Sequence, residues 1–183
     1  MRILIYTLAR TGSTSLTYYI ANSLNYTPIF EPYNIDPSHD KYPESLIWES
    51  DNVVVKVMDE QGGKHFLDFY KYFDKHIILT RENTKEQAQS LASAVSTKKW
   101  HSHYVYNPSK VDQNYCNQMV EKYTSTKAKL QELNGYQVTY EGIYLKGNQV
   151  KGLNEYLGIT NPSLKDIDSK RKYRQGDANK ILI

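Results

Sequence analysis

Apolar positions along the chain switch rhythm repeatedly, from short unbroken runs to helical spacing and back. Arg2 to Thr7 (RILIYT) is a nearly continuous apolar run, as a parallel strand shows when both its faces are covered. Leu16, Tyr19, Ile20 and Leu24 then recur at helical intervals. Tyr26 to Phe30 reads as a second short strand, and residues 31–45, rich in Pro, Asp, Asn and Ser, as a loop. Asn52 to Met58 holds Val53, Val54 and Val55 and reads as a third strand. Phe66, Leu67, Tyr70 and Phe73 form a helical face, and His76 to Thr80 a fourth strand. Thr84 with Gln87 fits a capping box, predicting a helix that runs to Val95. Residues 98–112 read as a loop or lid. Tyr115, Met119, Tyr123, Leu130 and Leu133 mark a long helix with Gly135 in the place of a C-terminal cap. Tyr136 to Tyr140 is a fifth strand, and Val150, Leu153 and Leu157 a helix closed by Gly158. Residues 163–183 form a polar, basic C-terminal segment. Strands alternating with helices predict one α/β domain over residues 1–183, a three-layer α/β/α sandwich on a central, mostly parallel sheet of about five strands. Ligands of such sheets bind at the carboxyl ends of the strands.

Composition narrows the class. With 183 residues the chain is long enough for one sizeable core. Its 39% hydrophobic and 23% charged residues argue against disorder. A net charge of +3 suits an anionic ligand but is small for a dedicated nucleic-acid binder. The one cysteine, Cys116, forms no intrachain disulfide and reads as a buried thiol in a reducing compartment. Met1 to Tyr6 is too short for a signal-peptide core, and no stretch approaches a membrane span. The chain therefore reads as soluble and cytoplasmic, with neither nucleic acid nor membrane as partner.

The first strand runs into Thr7-Leu8-Ala9-Arg10-Thr11-Gly12-Ser13-Thr14-Ser15, and a helix follows. The free amides of a helix N-terminus make an anion site. Gly12 allows close backbone approach, and the hydroxyls of Thr11, Ser13, Thr14 and Ser15 add donors. An ordinary strand–helix turn has the same composition. A Walker A loop needs a Gly where Thr7 stands and a Lys where Ser13 stands. The strand ending at Thr80 supplies no aspartate for magnesium. The loop would hold an anion without metal–nucleotide apparatus, with Arg10 supplying the positive charge.

Arg10-Thr11-Gly12-Ser13-Thr14 resembles the 5′-phosphosulfate loop of sulfotransferases that use 3′-phosphoadenosine 5′-phosphosulfate (PAPS), and is most similar to the bacterial trehalose 2-sulfotransferase type. A second match lies in His76 to Ala94. Arg81 leaves the strand end and Ser90 follows nine residues later on the next helix. In this family an Arg and a Ser at that place hold the cofactor's 3′-phosphate. The pattern R-x-D-x-x-x-Q-A-x-S is matched by Arg81, Gln87, Ala88 and Ser90, with Asn83 in place of the acidic residue. Tyr140-Glu141 resembles the family's "YE-x-L" strand end and Tyr156-Leu157-Gly158 its "F-L-G", both read as structural. Arg174, Gln175 and Gly176 resemble the late segment that covers the cofactor.

The resemblance implies a P-loop-like sulfotransferase fold and transfer of a sulfuryl group from PAPS to a hydroxyl of a small-molecule or carbohydrate acceptor. The product is adenosine 3′,5′-bisphosphate, and no metal is needed. Glu31, between Phe30 and Pro32, stands where the trehalose type has its general base. A carboxylate must take the acceptor's proton as the new sulfur–oxygen bond forms. Arg10 and Lys56 are the candidates for stabilising the transferring group. Lys56 lies within the apolar strand Val53 to Val57, so it requires a partner or a ligand. Tyr33, Trp100 and His101 join Glu31 as candidates for binding the acceptor. His101 and His103 have no third ligand at useful spacing, so the pair does not read as a metal site.

The segment between Trp100 and Tyr136 departs from the family, so trehalose is not carried over as acceptor. The short chain leaves two options open: a more open site, or a homodimer partner that completes it. Two further readings stand beside this one. One is a P-loop-type small-molecule kinase. The other is a catalytically silent module that binds a nucleotide. A tyrosine-rich RNA-binding domain is excluded by the lack of an aromatic RNA-binding motif.

Overall fold

The short apolar runs become the strands of one sheet. In the computed structural model of the chain, residues 1–34, 47, 49–62, 70–98, 111–165 and 167 are described. The strands are β1 (Arg2–Thr7), β2 (Thr27–Phe30), β3 (Val53–Met58), β4 (Lys75–Thr80) and β5 (Tyr136–Thr139). Every pairing is parallel and the spatial order is β2-β3-β1-β4-β5. Parallel neighbours need crossover connections, and helices supply them. They are α1 (Ser13–Leu24), α2 (Asp59–Gly62), α3 (Thr84–Thr97), α4 (Gln113–Gln131) and α5 (Val150–Leu157), with one π turn at Glu141–Leu145.

The alternation of side chains along each strand divides the core in two. Leu4, Tyr6, Val53, Val55, Val57 and Ile78 face α3 and α4, meeting Ala88, Leu91, Met119 and Tyr123. Ile3, Ile5, Val54, Ile77, Leu79 and Val138 face α1 and α5, meeting Leu16, Tyr19, Ile20, Leu153 and Leu157. This is the expected three-layer α/β/α sandwich, P-loop-like in placing a strand, a glycine turn and a helix on the middle strand. Covering both faces explains why β1 and β3 are apolar at nearly every position. Cys116 is buried on α4 and forms no disulfide, and burial pushes its thiol up. Among the described residues no helix is long and apolar enough to cross a membrane.

Several boundaries differ from the sequence reading. The cap of α3 is Asn83, not Thr84: the Asn83 side chain accepts from the Glu86 amide at 3.0 Å. An Asn one residue upstream competes successfully for the cap position. The helix runs past Val95 to Thr97 and closes on Lys98. Gly135 caps nothing, because α4 ends at Gln131 and Glu132 closes it in a right-handed conformation. Gly135 is small for a different reason: a Cβ there would lie 3.1 Å from the His76 carbonyl oxygen. Tyr140 leaves β5 and begins the π turn. Gly158 does close α5, with φ 74°. The helix expected around Phe66 and Leu67, and most of the 31–45 and 98–112 loops and of the basic tail, lie outside the described residues.

Candidate functional site

The turn after β1 sits at the carboxyl edge of the middle strand, with β3 and β4 on either side. Gly12 is the N-cap of α1, with φ 80° and no side-chain cap. The first amides of α1 are therefore left without a side-chain acceptor. Gly12 is also packed from the side. Tyr144 donates its hydroxyl to the Gly12 carbonyl at 2.7 Å, and a Cβ on Gly12 would come within 2.7 Å of the Tyr144 ring. The π turn thus holds the loop in place.

The loop hydroxyls divide into two sets. Thr11 is fully buried, its Oγ1 2.6 Å from Thr7 Oγ1 and 3.0 Å from the Leu8 carbonyl. Its hydroxyl is turned inward and ties the loop to β1. Ser13 is buried, Ser15 half-buried, and Thr14 exposed. Thr14 Oγ1 accepts from Lys56 Nζ at 3.2 Å.

Lys56 and Glu31 meet because β2 and β3 are parallel with Phe30 opposite Lys56. Glu31 follows Phe30 directly, and its amide donates to the Lys56 carbonyl at 2.8 Å. Their side chains form a salt bridge, Lys56 Nζ to Glu31 Oε1, that is almost wholly shielded from water. Lys56 is 4% exposed, so it has the partner its apolar strand demanded. The other carboxylate oxygen, Glu31 Oε2, accepts from Gln61 Nε2 at 2.8 Å and Asn34 Nδ2 at 3.2 Å. Neither amide stood out in the sequence, since each is an unremarkable polar residue in a loop or short helix. Tyr33 is half-buried against the core on the α3–α4 face.

On the other side of the loop the second motif comes in. Arg10 Nε donates to Ser90 Oγ at 2.9 Å, and Arg81 Nη1 donates to the Arg10 carbonyl at 3.4 Å. Gln87 Nε2 donates to the Ala9 carbonyl at 2.6 Å, which docks α3 onto the loop. The residues expected to hold two phosphates, Arg10 on one hand and Arg81 with Ser90 on the other, are therefore one contiguous cluster. Burial, and after it the Arg81 charge, press the Arg10 guanidinium toward losing its proton.

Arg81 is 4% exposed and lies 4.6 Å over the Tyr140 ring. Its Nη2 is 2.5 Å from Glu86 Oε2 and its Nε 3.8 Å from Glu141 Oε1. Glu141 also accepts from the amides of Glu82 at 2.8 Å and Asn83 at 3.2 Å. The Glu of the "YE" strand end thus supplies a counter-charge to the second motif.

Backbone conformation singles out the same residues. Four described non-glycine residues have φ in the left-handed region: Arg10 (64°), Asn25 (56°), Glu31 (50°) and Lys98 (54°). Asn25 and Lys98 close helices, where that conformation is usual. Arg10 and Glu31 do not, and strain of this kind gathers at functional sites.

Among the described residues no group of three or more His, Cys, Asp or Glu is placed to hold a metal ion. One acid does stand beside the loop. β3 is the other neighbour of β1, with Met58 opposite Thr7, and it runs straight into Asp59. Asp59 accepts from the Tyr6 hydroxyl at 2.8 Å. Trp100, His101, His103, Arg174, Gln175 and Gly176 lie outside the described residues.

No family model and no curated protein matches the chain. Among solved structures it is similar to deoxyadenosine kinase from M. mycoides with bound dATP, at a TM-score of 0.41 and 14% identity, over 98% of this chain and 100% of that chain.

Proposed function

We propose that this chain transfers the sulfuryl group of PAPS to the hydroxyl of a small-molecule or carbohydrate acceptor. The observation that carries the reading is the joining of the two arginine motifs, Arg10 Nε on Ser90 Oγ and Arg81 on the Arg10 backbone, beside the Glu31–Lys56 pair. Two guanidinium groups held together make a strongly positive site, which suits an anionic donor. Arg10, the loop amides and the Thr14 hydroxyl would take the 5′-phosphosulfate. Arg81 and Ser90 would take the 3′-phosphate. Trp100 and His101, with Tyr33, remain candidates for the acceptor, and Arg174, Gln175 and Gly176 for covering the donor.

Transfer is an in-line displacement. Glu31 takes the proton of the acceptor hydroxyl as its oxygen bonds to sulfur. The bond from sulfur to the 5′-phosphate oxygen breaks, and adenosine 3′,5′-bisphosphate leaves with the electron pair. Lys56, whose Nζ is held between Glu31 and Thr14 at the lip of the loop, would meet the sulfuryl oxygens there. Fixed cations at the developing charge supply most of the stabilisation.

A second reading, phosphoryl transfer by a P-loop-type kinase, is favoured by Asp59 at the end of β3, level with the loop. It is opposed by Ser13 where the loop lysine belongs. A silent nucleotide-binding module is the third. Calorimetry with adenosine 3′,5′-bisphosphate and, separately, ATP–magnesium on wild type and Arg81→Ala separates them. Sulfuryl transfer requires that the bisphosphate bind and that Arg81→Ala weaken it by about 1.5–3 kcal/mol, the size of a charged hydrogen bond. Binding of ATP–magnesium alone gives the kinase reading its place. A silent module binds the bisphosphate yet releases none from PAPS with any acceptor.

A further inference from the structure

Arg81 carries two carboxylates that differ in kind. Glu141 is buried at 8% exposure and spends its oxygens on the Glu82 and Asn83 amides, so it is a fixed counter-charge. Glu86 stands in the first turn of α3 with its Oε2 2.5 Å from Arg81 Nη2. Its side chain is 44% exposed, against 4% for Arg81. Glu86 therefore reaches Arg81 from the solvent side, where an ion pair is weak, whereas the guanidinium is held from within by the Tyr140 ring, Glu141 and the Arg10 carbonyl.

We propose that Glu86 is a specificity residue, which occupies Arg81 in place of the donor's phosphate in the empty site and must be displaced by a phosphomonoester for the donor to bind. The inference rests on reading Arg81 and Ser90 as the 3′-phosphate site. A phosphate offers two oxygens to the guanidinium and a third to Ser90, and carries more charge than a carboxylate, so it outcompetes Glu86. A ribose hydroxyl behaves differently. It would donate to Glu86 and leave the ion pair intact. The Glu86 carboxylate thus opposes a 3′-phosphate and tolerates a 3′-hydroxyl, and its charge sets the ratio between the two. It also gives the spent bisphosphate a competitor for Arg81, which favours product release.

The test is calorimetry with adenosine 3′,5′-bisphosphate and with ADP, which has a 3′-hydroxyl. The proteins are the full chain as wild type, Glu86→Gln, Arg81→Ala and the double variant. Glu86→Gln is expected to bind the bisphosphate about twofold more tightly, the scale of a half-exposed ion pair. ADP affinity is expected to stay unchanged, and the gain to vanish on the Arg81→Ala background. An unchanged or weaker bisphosphate affinity in Glu86→Gln overturns the role of Glu86, and so does an equal gain for both nucleotides. The wild type keeps the two ideas apart. If it binds the bisphosphate and Glu86→Gln adds nothing, only Glu86's role is lost. If it binds ADP or ATP–magnesium but not the bisphosphate, the sulfuryl-donor reading falls and takes this one with it.

Discussion

Two ion pairs flank the loop after β1, and they are built differently. Lys56 and Glu31 are both shielded, at 5% and 16% side-chain exposure, and each is pinned by further polar groups. Arg81 and Glu86 are unequal, at 4% and 44%. In the first pair neither charge can leave for water alone. In the second, one partner is enclosed and the other meets water. The same chemistry therefore gives a fixed constellation on the β2–β3 side and an exchangeable one on the β4–α3 side. On the sulfuryl-transfer reading proposed above, that division would keep the base in place while a charged donor comes and goes.

The comparison is broken most sharply by Lys56→Met. Removing one member of a buried pair strands the other, at a cost of about 3 kcal/mol. Urea denaturation should show that loss, and Glu31→Gln combined with Lys56→Met should recover part of it, since both charges are then gone. Glu141→Gln comes next. It weakens the acceptor of two part-buried amides and the fixed counter-charge of Arg81, an expected loss of about 2 kcal/mol in the same assay. Ser90→Ala removes only the contact with Arg10 Nε, and about 1 kcal/mol is expected. Glu86→Gln should be the mildest, at roughly 0.5 kcal/mol or less, because its side chain already meets water. A Glu86 effect on stability as large as that of Lys56 would erase the distinction between the two pairs.

Much of this arrangement was legible before any fold was known. The RILIYT run, the turn through Gly12 and the helical spacing of Leu16, Tyr19 and Ile20 follow from local rules, and the structure places them as a strand, a capped turn and a helix. The isolated Lys56 announced that it needed a partner. The partner's identity was not legible, because Glu31 lies 25 residues away and only the register of β2 on β3 brings them together. Glu86 gave no signal either, since a Glu in the first turn of a helix is ordinary. Glu141 reaches the Arg81 cluster from 59 residues away, through the π turn after β5. Asn83 took the cap from Thr84, a choice between adjacent residues that local rules leave nearly balanced.

The sequence by itself determined the layer architecture, since hydrophobic period and turn residues act over a few positions and need no knowledge of the fold. It also determined which residues could carry charge at the strand ends. Tertiary structure alone decided which charges meet, that Thr11 turns inward, and that Arg10 and Glu31 take left-handed backbone conformations. Those outcomes depend on strand order and register, which are settled by the packing of whole faces against one another, and no local window of residues contains that sum.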